Sequence, residues 1–280
     1  MAPTQTPIDP DGFNRFEAAA WEQRSEGYHN FFAPITTQVI EPLLDAACVE
    51  RGTRVLDAAT GPGYVAAACA VRGADVLGVD VAAEMVSLAR RLRPEIEFQQ
   101  ADAEQLPFAD GSFDAVVANF LIPHVGRPER VAAELVRVLR PGGKLALSMW
   151  DAPGRARLLG VLVDAAAEAG AQPTADIPPG PPFFRFSEEA ELVRLLDGAG
   201  LSDVAVRTVA FTHRVASADA LWQGLMGGTV RIRALVLAQP QAEQARIRTA
   251  FDRLVRVHAT EDGLELPVSV KVASGRLEVT

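Results

Sequence analysis

Residues 55–66 read VLDAATGPGYVA: an apolar run, an acid, a glycine-rich turn and an alanine-rich continuation. Residues 53–58 have the length and apolar content of a buried strand, and residues 64–72 suit a helix. Between them Gly61 and Gly63 allow a sharp turn and a close approach of backbone to a ligand. Working outward, residues 75–80 (DVLGVD) predict a second strand, and residues 84–92 a helix with Met85, Leu88 and Leu92 on one face. Residues 95–99 and 113–119 read as further strands. Val131, Leu135, Val138 and Leu139 mark a helix stopped by Pro141-Gly142-Gly143, and residues 144–150 form another strand. Strand and helix alternating at this spacing imply right-handed crossovers, hence a mostly parallel α/β sheet with helices on both faces.

Ligands of open α/β sheets bind outside the carboxyl ends of the strands, and three acids fall there. Asp57 stands at the mouth of the first strand, Asp80 ends the second and Asp102 follows the third. Asp80 can accept hydrogen bonds from both hydroxyls of a ribose, and Asp102 from an exocyclic amine such as that of adenine. The turn also fits G-x-G-x-x-A with Ala66 last, a dinucleotide-binding pattern. Asp57 would repel a buried pyrophosphate and attract an ammonium or sulfonium group, so the three acids suit a cationic nucleoside better.

The rest of the chain is arranged around this core. Residues 1–12 hold four prolines or glycines and read as a mobile tail. Residues 13–50 are expected to form lid helices, with Trp21, Tyr28 and Phe32 on one helical face. Residues 51–150 form the cofactor-binding core, and residues 151–280 complete the sheet and cover the substrate. In that last part residues 155–169, 187–198 (with Ser187 as cap), 218–238 and 241–258 predict helices. Residues 173–182 predict a proline-rich loop, and residues 203–211 and 268–272 strands. The chain has 280 residues and is 49% hydrophobic, enough for a large core, with a net charge of −9 that argues against a nucleic-acid partner. No run reaches the roughly 18–20 apolar residues of a membrane span. The N-terminus shows no secretory pattern, and two cysteines, Cys48 and Cys69, indicate no disulfide framework, so a cytoplasmic setting is expected. Four histidines and two cysteines speak against a structural zinc site, and no metal is expected.

VLDAATGPGYVA, VLGVDVAAEMVSLAR (76–90), FQQADAEQLPFADGSFDAVVAN (98–119) and VLRPGGKLALSMW (138–150), in this order, resemble the class I S-adenosylmethionine-dependent methyltransferases, in particular their small-molecule, quinone-methyltransferase-like branch. The resemblance implies a Rossmann-like sheet of seven strands, the last antiparallel and inserted beside the fifth, supplied by residues 268–272. It also implies S-adenosyl-L-methionine as cofactor and S-adenosyl-L-homocysteine as product. Asp57, Ala58, Gly61 and Gly63 would surround the methionine part of the cofactor, and Asp80 would hold the ribose. Val81 and Met85 would flank the adenine, Asp102 and Ala103 would meet its edge, Asn119 would lie near the methionine end, and Tyr28 would close over the cofactor.

The implied reaction is methyl transfer to an O, N or C atom of a small apolar or phenolic metabolite of secondary metabolism. The alternative is a cyclisation, or another non-methylating reaction, on the same fold. His124, five residues past Asn119, is the candidate base; His29, His213 and His258 are weaker candidates. Residues 181–186 (PPFFRF) and 221–226 (LWQGLM) are expected to wall the substrate, with Trp21, Phe184, Trp222 and Met226 touching it. Arg231 and Arg233 could meet an acidic substrate group, although helix arginines are usually solvated.

Overall fold

The computed structural model describes residues 8–279. The chain opens with helix α1 (Pro10–Glu22), whose first turn is capped by Asp9: its side chain accepts a hydrogen bond from Gly12 N at 2.9 Å. The helix therefore starts inside the stretch expected to be a tail; residues 1–7 of that stretch lie outside the described residues. The aromatic segment is two helices, not one. After a break at Gln23-Arg24 come α2 (Ser25–Phe31), α3 (Ala33–Thr36) and α4 (Ile40–Ala46). Trp21 and Tyr28 meet across the break, ring centroids 5.6 Å apart and edge to face.

The alternating region runs β1 (Arg54–Ala58), α5 (Tyr64–Val71), β2 (Asp75–Asp80), α6 (Ala83–Leu92), β3 (Glu97–Gln100), β4 (Phe113–Asn119), α7 (Pro128–Arg137) and β5 (Leu139–Trp150). Here α7 ends at Arg137, earlier than the apolar spacing suggested. Leu139 pairs with Phe113, and Pro141-Gly142-Gly143 lies within β5 rather than ending the helix. A short apolar run satisfies either period, and pairing with β4 decides the matter.

The remainder comprises α8 (Arg157–Glu168), α9 (Glu189–Gly198), β6 (Leu201–Val215), α10 (Ala218–Gly228), α11 (Arg231–Leu237), α12 (Gln241–Val255), the two-residue β7 (Ala259–Thr260) and β8 (Gly263–Leu277). Ser187 does not cap α9; its hydroxyl donates to Phe184 O, and the helix begins two residues later. The helix expected over 218–238 is broken at Thr229-Val230, and α12 stops at Val255, before a single tight turn that carries His258.

The sheet order is β3-β2-β1-β4-β5-β8-β6, with β7 paired to β8. Strands β1 to β5 are parallel, and β8 is antiparallel to both β5 and β6. The Rossmann-like order with a final antiparallel strand beside the fifth is thus the one expected, with the short β7 as an addition. β8 is much longer than residues 268–272, because it pairs along both edges. Neighbouring residues feed opposite faces: Val55 and Val117 join the core under α4, α8 and α12, while Leu56 and Val116 join the core under α7 and α9. Leu56 and Leu135 are fully buried. Truncating either to alanine costs about 2–5 kcal/mol.

Candidate active site

The first site element is the turn after β1. Ala59 and Gly61 take left-handed backbone angles, φ 56° and 52°. Gly63 is left-handed too (φ 80°) and caps α5, and a Cβ there would lie 2.8 Å from the Phe98 ring, so only glycine fits. Asp57 holds the turn together: Oδ2 accepts from Thr60 Oγ1 at 2.6 Å and from Ala66 N at 3.0 Å. Its Oδ1 is buried without a partner, and burial pushes the carboxyl up to about 7.

Asp80 sits at the mouth of the neighbouring strand. Its Oδ2 accepts from Gly61 N at 2.9 Å and its Oδ1 from Ala82 N at 3.0 Å. A carboxylate has about four acceptor positions, so each oxygen keeps one for a ligand hydroxyl. Burial raises this group to about 6. Asp102 Oδ1 accepts from Glu104 N at 2.8 Å. On the other side of β1, Asn119 Oδ1 accepts from Ser148 Oγ at 2.5 Å, and Phe120 follows with φ 62°. Strained backbone at the mouths of two adjacent strands is characteristic of ligand sites.

These strand ends surround a cavity of about 140 Å³. Of the residues expected to bind a cofactor, Tyr28, Gly61, Asp80, Val81, Met85, Asp102, Ala103 and Asn119 line it. Asp57, Ala58 and Gly63 do not: Asp57 is drawn beneath the turn by its own hydrogen bonds, and Ala58 is fully buried in the sheet. The residues present fit a cationic nucleoside. Asp80 offers free acceptors at the wall, and Asp57 keeps an unpartnered oxygen below it, where a positive group above the turn would offset the buried charge.

A second, mainly apolar cavity of about 310 Å³ adjoins the first. Trp21, Tyr28, Thr36, Phe120 and His124 line both and form their common wall. Phe184 lines the second cavity, as expected of a substrate contact, whereas Trp222 and Met226 do not. Trp222 instead packs edge to face on Phe251, centroids 5.2 Å apart, and Met226 is buried in the core. From the same helix it is Leu225 and Gly228 that reach the cavity. Tyr28 carries the phenol of the common wall; its hydroxyl donates to Thr36 Oγ1 at 3.4 Å, and burial pushes it up to about 12.

His124 occupies a single tight turn, Ile122–His124, after β4. Its ring lies edge to face with Trp21 (5.1 Å) and Phe183 (5.8 Å). Its Nδ1 is 3.0 Å from Oε2 of Glu17, a residue only 2% exposed whose Oε1 has no partner. A carboxylate on Nδ1 fixes the ring and leaves Nε2 free to accept a proton. Sequence reasoning missed Glu17. The signal was a carboxylate in register with Phe13 and Ala20, the buried face of α1. The other histidines line neither cavity. His29 Nδ1 is 2.7 Å from the Tyr64 hydroxyl, His213 lies within β6, and burial lowers both His213 and His258. Arg231 is part-buried in the second cavity rather than solvated.

Among the described residues there is no group of three or more His, Cys, Asp or Glu side chains able to hold a metal, and no helix long and apolar enough to cross a membrane.

Residues 56–147 match the methyltransferase-domain family. The chain is 34% identical over 175 residues to a demethylmenaquinone methyltransferase of Renibacterium salmoninarum, covering 60% of this chain and 74% of the relative. Among solved structures it resembles phosphoethanolamine N-methyltransferase 2 of Haemonchus contortus, in complex with phosphomonomethylethanolamine and S-adenosylhomocysteine. That match has a TM-score of 0.58 at 17% identity, over 95% of this chain and 60% of that one. It also resembles the 4+2 cyclase SpnF, with a TM-score of 0.50 at 18% identity over 87% and 81% of the two chains. At these identities the structural likenesses speak for the fold alone.

Proposed function

The chain belongs to the class I S-adenosylmethionine-dependent methyltransferases, and on that premise we propose that it methylates a small, largely apolar or phenolic molecule held in the larger cavity. The carrying observation is the wall shared by the two cavities, which presents Tyr28, Phe120 and His124 to both. A quinol-like acceptor is the class suggested by the demethylmenaquinone methyltransferase relative, and that relative favours methyl transfer over ring closure.

When bound, S-adenosylmethionine supplies an electrophilic methyl group on a sulfonium and leaves as S-adenosylhomocysteine. Asp80 accepts the ribose hydroxyls on the lone pairs that Gly61 N and Ala82 N leave free. Val81 and Met85, which line the cavity, would flank the adenine, Asp102 and Ala103 would face its edge, and Asn119 would border the methionine end. Asp57 favours the positive end of the ligand through its field, from beneath the turn. The aromatic wall of Trp21, Tyr28 and Phe120 borders both cavities, where it would help to align an acceptor atom with the methyl group. Alignment of this kind is worth up to about 7–11 kcal/mol. Where the acceptor carries a proton, His124 removes it, held in place by Glu17. No step asks for a metal ion, and a cytoplasmic location goes with this reading.

The test is a pair of measurements. Calorimetric titration with S-adenosylhomocysteine is expected to show one site. Incubation with S-adenosylmethionine and a library of phenols and quinols is expected to yield a product carrying one added methyl group. A ring-closed product without added methyl, or no binding of S-adenosylhomocysteine, overturns the proposal.

A further inference from the structure

Arg231 opens α11 and lines the larger cavity. Its guanidinium carbon lies 5.1 Å from the ring centroid of Phe13 and 5.8 Å from that of Phe183, and Nη1 donates to Pro181 O at 2.9 Å. Among the described residues no carboxylate stands within 4.0 Å of it. This is unlike Arg127, Arg137 and Arg157, each of which meets an acid at 3.0 Å or less. Two more guanidinium groups stand nearby without acids. Arg24 donates to Ala20 O and keeps a buried, unpartnered Nε, and Arg233 donates to Met226 O. Glu17 is the acid whose field reaches both Arg24 and Arg231, and one of its oxygens already faces His124. The cluster thus holds more positive charge than negative.

Partial burial leaves this charge with less water and no anion in contact, and a guanidinium has five N–H donors where a single bond to protein is made here. The rest of the cavity, with Phe32, Trp150, Leu159, Leu162 and Leu235, offers no anion. We propose that the larger cavity takes a methyl acceptor bearing a carboxylate, which Arg231 binds. One guanidinium neutralises one charge, which suits a carboxylate better than a phosphate dianion, and its planar fork matches carboxylate geometry. Phe183 stands beside both groups: its ring is 5.8 Å from the His124 ring and 5.8 Å from the guanidinium. An aromatic body laid against Phe183 is within reach of both the shared wall and Arg231.

The inference rests on the methyltransferase reading, and the experiment separates the two. The full-length protein, with and without saturating S-adenosylhomocysteine, is titrated with 6-hydroxy-2-naphthoate and with its neutral carboxamide. The carboxylate is expected to bind at least about tenfold more tightly than the amide, as a charge-assisted pair requires. In Arg231→Met that preference disappears while amide affinity stays within about threefold, and Arg231→Lys retains part of it. Equal affinities in the wild type, no binding of the naphthoate at millimolar concentration, or an intact preference in Arg231→Met overturns the proposal. Failure to bind S-adenosylhomocysteine counts against the methyltransferase reading instead, since the titrations without it still report on Arg231. A purely structural arginine would alter thermal stability on substitution and leave the acid–amide ratio unchanged.

Discussion

Oε2 of Glu17 lies 3.0 Å from Nδ1 of His124, a contact that joins the first helix to the loop after β4 across 107 positions of sequence. The helix that covers the site therefore also orients its candidate base. Loss of the imidazole in His124→Ala is expected to lower kcat by about 10²- to 10⁴-fold, with little change in affinity for S-adenosylhomocysteine. Glu17→Gln keeps the shape and is expected to lower kcat by about tenfold or more, with the cofactor KM unchanged. Because the two act as one unit, the double variant should be no slower than His124→Ala. Additive losses in steady-state kinetics would assign Glu17 a separate, structural role.

Asp80 is expected to govern cofactor affinity. Two hydroxyls donating to one carboxylate are charge-assisted hydrogen bonds worth about 1.5–3 kcal/mol each. Asp80→Ala should therefore weaken S-adenosylhomocysteine binding by about a hundredfold or more in calorimetry. The pH dependence has a definite sign. Burial raises Asp80 to about 6, and protonation removes an acceptor, so affinity should be level above that pH and fall as the solution is acidified through it. Affinity independent of pH between 5 and 8 would remove Asp80 from the ribose.

Asp57 should appear in stability. Its carboxyl is raised from 3.8 to about 7 by burial, so between those values the folded protein holds a proton that the unfolded chain has released. The contribution is fully present below pH 3.8 and is lost as pH rises through 7. Relative to Asp57→Asn, the ligand-free wild type should become less stable as pH rises from 5 to 8, by an amount on the order of a few kcal/mol. Urea unfolding at both ends of that range reads this directly, and parallel pH profiles would contradict it.

The cover over the second cavity depends on a close helix crossing. A Cβ on Gly27 would lie 2.5 Å from Gly227 O, so α2 and α10 touch through bare backbone. Gly27→Ala should push them apart, costing about 1–3 kcal/mol. It should also raise the acceptor KM more than the cofactor KM, because Gly228 and Leu225 of α10 line only the larger cavity. A drop in melting temperature with both KM values unchanged would show that the crossing does not shape the substrate side.

The strands and the glycine turn were legible because their apolar periods differ from those of the helices and their ends carry Gly, Asp and Asn. Arg54–Ala58, Asp75–Asp80 and Phe113–Asn119 fall almost where those signals put them. The cover was less legible. Its helices break at Gln23-Arg24, where no proline or glycine run gives warning, and at Thr229-Val230, where the preceding Gly227-Gly228 was a signal that the apolar spacing over 218–238 outweighed. The rotation of α10 decides that Leu225 rather than Trp222 faces the cavity, and that rotation is set by contacts with Phe31 and Gly27 from a distant stretch of chain. Glu17 was obscured for a related reason, whereas Arg231 was legible as a possible partner of an acidic group. A charged residue on an amphipathic helix looks like solvent-facing surface until the packing shows what covers it.

The position of β8 bears on how the molecule is built. Its 15 residues, Gly263–Leu277, lie between β5 and β6, so a strand made after both of them fills a place inside the sheet. During synthesis β5 and β6 each wait with an open hydrogen-bonding edge until it arrives, and open edges invite pairing with other chains. The parallel pairings among β1 to β5 are made without it, although β8 then covers the free edge of β5 and adds Val268, Val270 and Val272 to the core. The interior of the sheet closes only when β8 is in place, which makes its insertion the step that removes two open edges at once.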